Sequence, residues 1–478
     1  WENYSQMQEP SLHYFTIGQL SSLYQKGTIS PLDITRLELE RIHSQDGELN
    51  AFATLMEQSA MESAEILGNE LSRGKIRGPL HGVPIALKDL IYTMGVQTMG
   101  GTKVMENHIP SFDATLVTRL RDAGAIVLGK LNLTEGAMRG YNTSRQVPKN
   151  PWNPQRWSGA SSSGSGVAVS SGLCFGALGS DTGGSIRFPS ASCGIVGLKP
   201  TYGAISRYGV IPLAESLDHV GPMTRSVLDA VYMFNAMIGR DSKDGTTFHR
   251  PAIDVSAVGN NQLKGLNIGY SESYAEQGVD PTIISMIRKS ILKIESLGAN
   301  IESMNFPEID TYLPAWRVIC SAEAFRAHAE YFPSQREDYG PWFAEWLGMG
   351  EAVTSGDYIE ANNVRIHCNT LFSSIFEQID AMICPTTTTF PEPVDDQINY
   401  GPMDPSTLQP AGKAPHQRFT VPFDYNGYPT ICLPCGFNEE GMPGSLQIVG
   451  KPGSEETICR IAHAYESSSD WKDINPIP

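Results

Sequence analysis

Gly159-Ala-Ser-Ser-Ser-Gly-Ser-Gly166 and Gly179-Ser-Asp-Thr-Gly-Gly-Ser-Ile-Arg187 frame a run of small, mostly apolar residues, and this stretch decides how the chain is read. Two serine-bearing, glycine-rich turns lie on either side of one element. A flexible linker is a poor explanation, because Val167-Ala-Val and Leu173-Cys-Phe adjoin the turns. A phosphate cradle is also poorly supported. Neither turn continues as Gly-Lys-Ser/Thr, and no strand is followed by Gly-x-Gly-x-x-Gly. Close backbone packing accounts for part of the glycine content. In Asp181-Thr-Gly-Gly-Ser185, two glycines before a serine can let successive backbone N–H groups converge on one point. That arrangement suits an oxyanion beside a nucleophile.

A serine nucleophile needs a base. No Gly-x-Ser-x-Gly elbow is present, so the usual histidine route is unsupported. Two Ser-x-x-Lys matches, Ser72 to Lys75 and Ser290 to Lys293, lie in polar helical surroundings without a Lys-Thr-Gly partner and read as chance. Lys88 is the better candidate. It ends a short apolar strand, Gly82-Val-Pro-Ile-Ala-Leu-Lys88, where an ammonium is costly to bury. One explanation is an ion pair with Asp89. The other is a lysine held among hydroxyls with a depressed pKa, whose neutral amine accepts a proton.

Composition bounds the alternatives. The 478 residues are 40% apolar and 18% charged, as in an ordinary folded globular chain. Thirty-five Lys and Arg against 52 Asp and Glu leave a net charge of −17, which argues against nucleic acid as a partner. No apolar stretch approaches the roughly 20 residues of a membrane span. The chain opens on Trp1 rather than Met, which leaves a removed leader open. Eight scattered cysteines beside apolar neighbours fit reduced core thiols and a cytoplasmic location. Cys432-Leu-Pro-Cys435 falls in an expected strand and reads as structural. The ten histidines show no ligand spacing, so no metal is expected.

Together these segments resemble the signature of the amidase signature family of serine hydrolases. Also similar are Cys193-Gly-Ile-Val-Gly-Leu-Lys-Pro-Thr201 and Ser216-Leu-Asp-His-Val-Gly-Pro222, with weaker matches at Phe419-Thr-Val-Pro-Phe-Asp and Gly441-Met-Pro-Gly-Ser-Leu-Gln447. The likeness covers nearly the whole chain. It implies an α/β fold with a large mixed central sheet flanked by helices on both faces, and hydrolysis of a carboxylic amide, carbamate or aryl amide without a cofactor. Carried over by motif, Ser185 corresponds to the nucleophile, Lys88 to the base and Ser161 to a bridging serine with a cis peptide bond. Ser162 is the alternative register. The 24-residue separation of Ser161 and Ser185 matches the family's spacing. N–H groups of Thr182, Gly183, Gly184 and Ser185 are the implied oxyanion donors. Ala160 and Ser163 stand where the family usually has glycine.

Candidate pocket walls are Met138, Gly140 and Tyr141, together with Ile186, Phe188, Trp316 and Trp342. A stand-alone amidase acting on a small molecule is favoured, because Ala322 to Gly350 looks more like stand-alone amidases. The glutaminase-type subunit of a tRNA-dependent amidotransferase is the alternative, and a non-catalytic binding protein a second one. A homodimer is left open.

The patterns predict helices from Thr16 to Gln25, from the Ser30 cap, over Met61–Leu71 and after an Asp113 cap. Strands are expected at Ala51–Leu55, Val83–Leu87 and Ala125–Leu128. Periodicity lapses around Gly239–Gln262, dividing one expected domain over 1–478 into a motif-bearing part (about 1–238) and a variable half (about 263–478). That half reads as strand 266–270, helix 281–297, strand 300–306, long helices over 313–332 and 357–379, and strands 381–384 and 430–434. Residues 391–418, rich in proline and glycine, are either a flap or a plain surface loop.

Overall fold

A computed structural model describes residues 9–403 and 415–476. Eleven strands form a single mixed sheet: β1 (Phe52–Leu55), β2 (Pro84–Lys88), β3 (Ile126–Leu131), β4 (Gly176–Asp181), β5 (Val196–Lys199), β6 (His219–Thr224), β7 (Asn267–Tyr270), β8 (Asn300–Ser303), β9 (Ala381–Pro385), β10 (Thr430–Phe437) and β11 (Pro443–Gly450). Their order is β1-β3-β2-β4-β6-β5-β10-β11-β9-β7-β8. β3, β2 and β4 are mutually parallel, as are β9, β7 and β8, and antiparallel strands join the two patches. Helices cover both faces. The lapse at 239–262 does not divide the sheet, because β5 pairs with β10 through Thr430 and Lys199.

Local signals explain the N-terminal elements. Thr16 and Ser30 each close a capping box, and Pro31 takes the first position of its helix. Asp113 does not cap the helix Thr115–Asp122. Ala114 stands at that position, and the Asp113 carboxylate instead accepts from Met94 N and pairs with Arg121. The long helices of the second half are Tyr312–Ala327 and Ser355–Ile375, both ending a few residues before their periodicity does. Between them lies Pro341–Glu351, which the patterns had not separated.

β4, β5, β6 and β11 were not expected. All four are short or glycine-bearing and mostly buried on both faces, so they show no alternation to read. The signature run Ser163–Ser170 is an α-helix buried on every side. Small residues are required there: a side chain at Gly164 would stand 2.5 Å from the Asn132 carbonyl.

Register brings the motifs to one edge. β2 and β4 lie side by side and parallel, with Leu87 opposite Leu178. Their C-terminal ends therefore deliver Lys88 and Ser180–Asp181 together, at the edge where open α/β sheets place ligands. Beneath them, Lys130 and Asp89 form a buried ion pair at 3.2 Å, and Lys130 also donates to Thr98 Oγ1 at 2.6 Å. Burial pushes the Asp89 carboxyl up and the Lys130 ammonium down, each opposed by its partner.

Lys130→Met strands the Asp89 carboxylate. It is expected to lower unfolding free energy by about 3–5 kcal/mol in urea titration, with part of the loss recovered when Asp89→Asn is added. A loss below about 1 kcal/mol would show that the pair carries little of the stability at this edge.

Candidate active site

Lys88 is fully buried, yet its partner is not Asp89, which faces Lys130. The Lys88 Nζ instead lies 2.7 Å from Ser161 Oγ, 2.8 Å from Ser162 Oγ and 2.9 Å from Ser180 Oγ. Ser161 and Ser162 precede the buried helix, and Ser180 lies at the end of β4. Burial draws Lys88 down to about 7, partly opposed by the charges of Asp181 and Asp218. A neutral amine has two N–H donors and one lone pair, so three hydroxyls can satisfy it in full.

The three hydroxyls differ in what else they do. Ser162 Oγ donates to Ser180 O and accepts from Ser180 N, each at 3.2 Å. Ser161 Oγ has Lys88 as its partner and retains capacity for another hydroxyl. The cis peptide bond falls at Ala160–Ser161. Ser185 lies across from them, its carbonyl accepting from Ser162 N at 3.2 Å. From Ser158 to Pro200 every residue is buried except Ser185 and Gly194. Among the described residues the Ser185 hydroxyl has no hydrogen-bond partner.

Asp181 shapes the turn that carries Ser185. Its carboxylate accepts from Gly184 N, from Ile186 N at 2.9 Å and from Arg187 N at 3.3 Å. The Arg187 guanidinium clamps the same carboxylate and also pairs with Asp424. Burial opposes the Asp181 charge, but Arg187 holds its pKa well below the usual range. Burial and the neighbouring Asp181 push Asp424 up. Gly184, at φ 132°, completes a turn that other residues make poorly.

The Gly184 N–H is thereby engaged, which reduces the expected four-donor set to three. The N–H groups of Thr182, Gly183 and Ser185 make no hydrogen bond among the described residues. Their peptides are pinned from the opposite side: Asp181 O faces His219 Nδ1 at 3.3 Å, Thr182 O accepts from Trp316 Nε1 at 2.8 Å, and Gly184 O accepts from Phe188 N at 2.7 Å. In a trans peptide the C=O and N–H point oppositely, so each held carbonyl turns its N–H to the other side of the turn. Asp218, raised to about 6 by burial, holds the Thr182 hydroxyl at 2.6 Å.

The expected walls separate into distinct roles. Met138 is half-buried within the turn 135–142, and Phe188 packs against Gly184. Tyr141 OH donates to Ser163 Oγ at 2.9 Å, and Gly140 lies against Trp342. Ile186 is a core residue, corrected from the expected wall. It is fully buried, packed against Gly179, Gly197 and Gly221. Trp316 lies over Gly183 and orients the turn through Thr182 O, while Trp342 stacks on Trp346. Sequence reasoning missed Ser180, Asp218 and Thr420, whose hydroxyl donates to Gly183 O at 2.6 Å. All three lay in segments that resemble the family signature: Ser180 beside Asp181, Asp218 within Ser216–Pro222, and Thr420 after Phe419.

The Cys432 and Cys435 thiols are buried in β10, and burial pushes each up, Cys432 to about 12. Among the described residues no helix is long and apolar enough to cross a membrane.

A buried lysine, a ring of hydroxyls and a partly exposed serine beside convergent N–H groups are the kind of parts a serine hydrolase requires. The amidase family model matches residues 33–459, and the chain belongs to that family, whose chemistry is cleavage of amide C–N bonds. It is 36% identical to a subunit of glutamyl-tRNA(Gln) amidotransferase from Moorella thermoacetica, over 97% of this chain and 99% of the relative. It is 32% identical to AmiD of Mycobacterium tuberculosis, which carries the name amidase, over 98% and 97%. Among solved structures, peptide amidase from Stenotrophomonas maltophilia superposes with a TM-score of 0.81 at 28% identity, covering 97% of each chain.

Fluorophosphonate labelling of Ser185 is expected to speed up as pH rises through about 7, where Lys88 loses its proton, and to level off above. Below that pH the ammonium has no lone pair, so a rate that stays flat would exclude Lys88 as the group that controls reactivity. Trp316→Phe keeps a ring over Gly183 but frees the Thr182 carbonyl, and labelling is expected to slow by about ten-fold. An unchanged rate would show that the turn holds its orientation without Trp316.

Proposed function

We propose that this chain acts by itself as an amidase, hydrolysing a small carboxylic amide, carbamate or aryl amide through an acyl-enzyme on Ser185. The observation that carries this reading is the contact of Lys88 Nζ with Ser161 Oγ at 2.7 Å beside the single partly exposed serine of the motif. Ser185 attacks the amide carbonyl while its proton passes to the Ser161 hydroxyl, whose own proton passes to neutral Lys88. Ser161 suits the relay better than Ser162, whose proton is already committed to Ser180 O. The N–H groups of Thr182, Gly183 and Ser185 receive the oxyanion. Collapse expels the amine, which takes the proton back along the same route. Water then attacks the acyl-enzyme with Lys88 again as base, releasing the acid and restoring Ser185.

Nucleophile, relay, base and oxyanion donors all come from this one chain, which supports independent turnover. A second reading is favoured by the 36% identity to a protein that is by name part of an amidotransferase. On that reading the same centre would release ammonia from glutamine only within a multi-chain assembly.

Amine release by the purified chain should separate the two. Turnover of at least one aliphatic amide, aryl amide or carbamate, reduced by more than about 10³-fold in Ser185→Ala, is the expected result. Activity confined to glutamine, and appearing only when partner chains are added, would replace the stand-alone reading with the amidotransferase one.

A further inference from the structure

Arg139 is half-buried in the turn between Glu135 and Tyr141, and among the described residues its guanidinium makes no hydrogen bond or ion pair. Its neighbours in the turn are otherwise committed. Glu135 accepts from Asn142 and Gly340 N, and Tyr141 N donates to Asn399 O. The Arg139 Cζ sits over the Trp157 ring, 5.9 Å from its centroid. A cation–π contact at that distance occupies none of the guanidinium N–H groups and leaves them for a ligand. Burial disfavours the charge, drawing Arg139 down to about 10, and Glu392 is the carboxylate that opposes this. Glu392 is not a direct partner: its Oε1 accepts from Thr389 at 3.3 Å and its backbone carbonyl from Trp157 N at 2.8 Å.

The surface under Arg139 leads to Ser185. Trp157, Phe188 and His416 form an aromatic trio with centroids 5.9 to 6.1 Å apart. The Phe188 ring lies against Gly184, one residue before Ser185. His416 adds a second donor. Thr388 N–H donates to its Nδ1 at 3.1 Å, so that nitrogen carries the lone pair and the neutral ring keeps its proton on Nε2. Burial, reinforced by Arg139, holds His416 down at about 3, and the ring is neutral at ordinary pH. Nε2–H has no partner among the described residues.

We infer that Arg139, on the Trp157–Phe188–His416 platform, is a specificity-determining residue that binds a carboxylate carried by the substrate, so that the preferred amides are anionic. This rests on the amidase reading for its reaction but not for its binding. A carboxylate suits the guanidinium edge because two parallel N–H···O bonds can form there, with Nε2–H of His416 as a further donor. A flat or short aliphatic body would lie over the aromatic surface, its amide carbonyl reaching Ser185.

The test pairs each acid amide with its neutral counterpart: malonamate with propanamide, succinamate with butanamide, and glutaramate with pentanamide. The full chain is expected to favour the acid of at least one pair by about ten-fold or more in kcat/KM. That ratio should collapse toward one in Arg139→Gln and partly return in Arg139→Lys. Calorimetry supplies a readout that needs no turnover: malonate, succinate or glutarate should bind the Ser185→Ala chain, and bind it about ten-fold more weakly once Arg139→Gln is added. Circular dichroism shows whether each variant is folded. Neutral amides preferred in every pair, or dicarboxylate binding indifferent to Arg139, would overturn the inference while leaving the amidase reading standing. Arg139-dependent dicarboxylate binding without turnover of any amide or carbamate would uphold the anion site and remove the stand-alone amidase reading.

Discussion

One buried amine governs the architecture of this site. Lys88 has left water entirely, and its charge is opposed by burial, so the surrounding groups must satisfy it in whichever form it takes. Three hydroxyls from two separate segments do so. Each must be held within hydrogen-bond reach, which fixes the start of the helix Ser163–Ser170 against the ends of β2 and β4. The signature helix is built of small residues because it must lie that close. The same desolvation that makes the lysine expensive to bury also draws its pKa down toward neutral pH.

A second electrostatic frame stands behind the first. Asp181, Arg187 and Asp424 form a buried cluster in which one guanidinium serves two carboxylates. Such clusters are weak evidence for stability, since desolvation offsets much of the attraction. Their value here is geometric. Asp181 gathers the N–H groups of Gly184, Ile186 and Arg187, and so sets the turn on which Ser185 stands partly exposed. Trp316 and Thr420, from the distant second half of the chain, hold the carbonyls of the same turn. The second half of the chain therefore completes the motif-bearing half as well as enclosing it, and one continuous sheet links them.

Much of this was legible before any coordinates. N-caps at Thr16 and Ser30, the strand ending at Lys88 and the first helices of the second half all followed from local rules. The buried strands β4, β5, β6 and β11 did not. Glycine and proline within them obscure propensity, and burial on both faces removes the alternation that reveals a strand. Ile186 was misplaced for a related reason: adjacency to Ser185 in sequence suggests a wall, but the turn directs its side chain into the core. Arg139 lay inside a segment singled out as a wall, yet nothing in the sequence indicated that its charge would be left without a partner.

The sequence by itself determined the residue chemistry: two spaced serines, one lysine at the end of an apolar strand, and glycines where a backbone must turn. Those are local demands of side-chain reactivity and backbone freedom, and they survive without knowledge of the fold. Only the tertiary structure decided which groups met. It matched Lys130, not Lys88, to Asp89, spent the Gly184 N–H on Asp181 and left Ser161 rather than Ser162 with a free bonding position. It also brought Trp157, Phe188 and His416 together beneath Arg139. The physical reason is that hydrogen bonds and desolvation depend on distances of a few tenths of an ångström between segments far apart in the chain, and sheet register sets those distances.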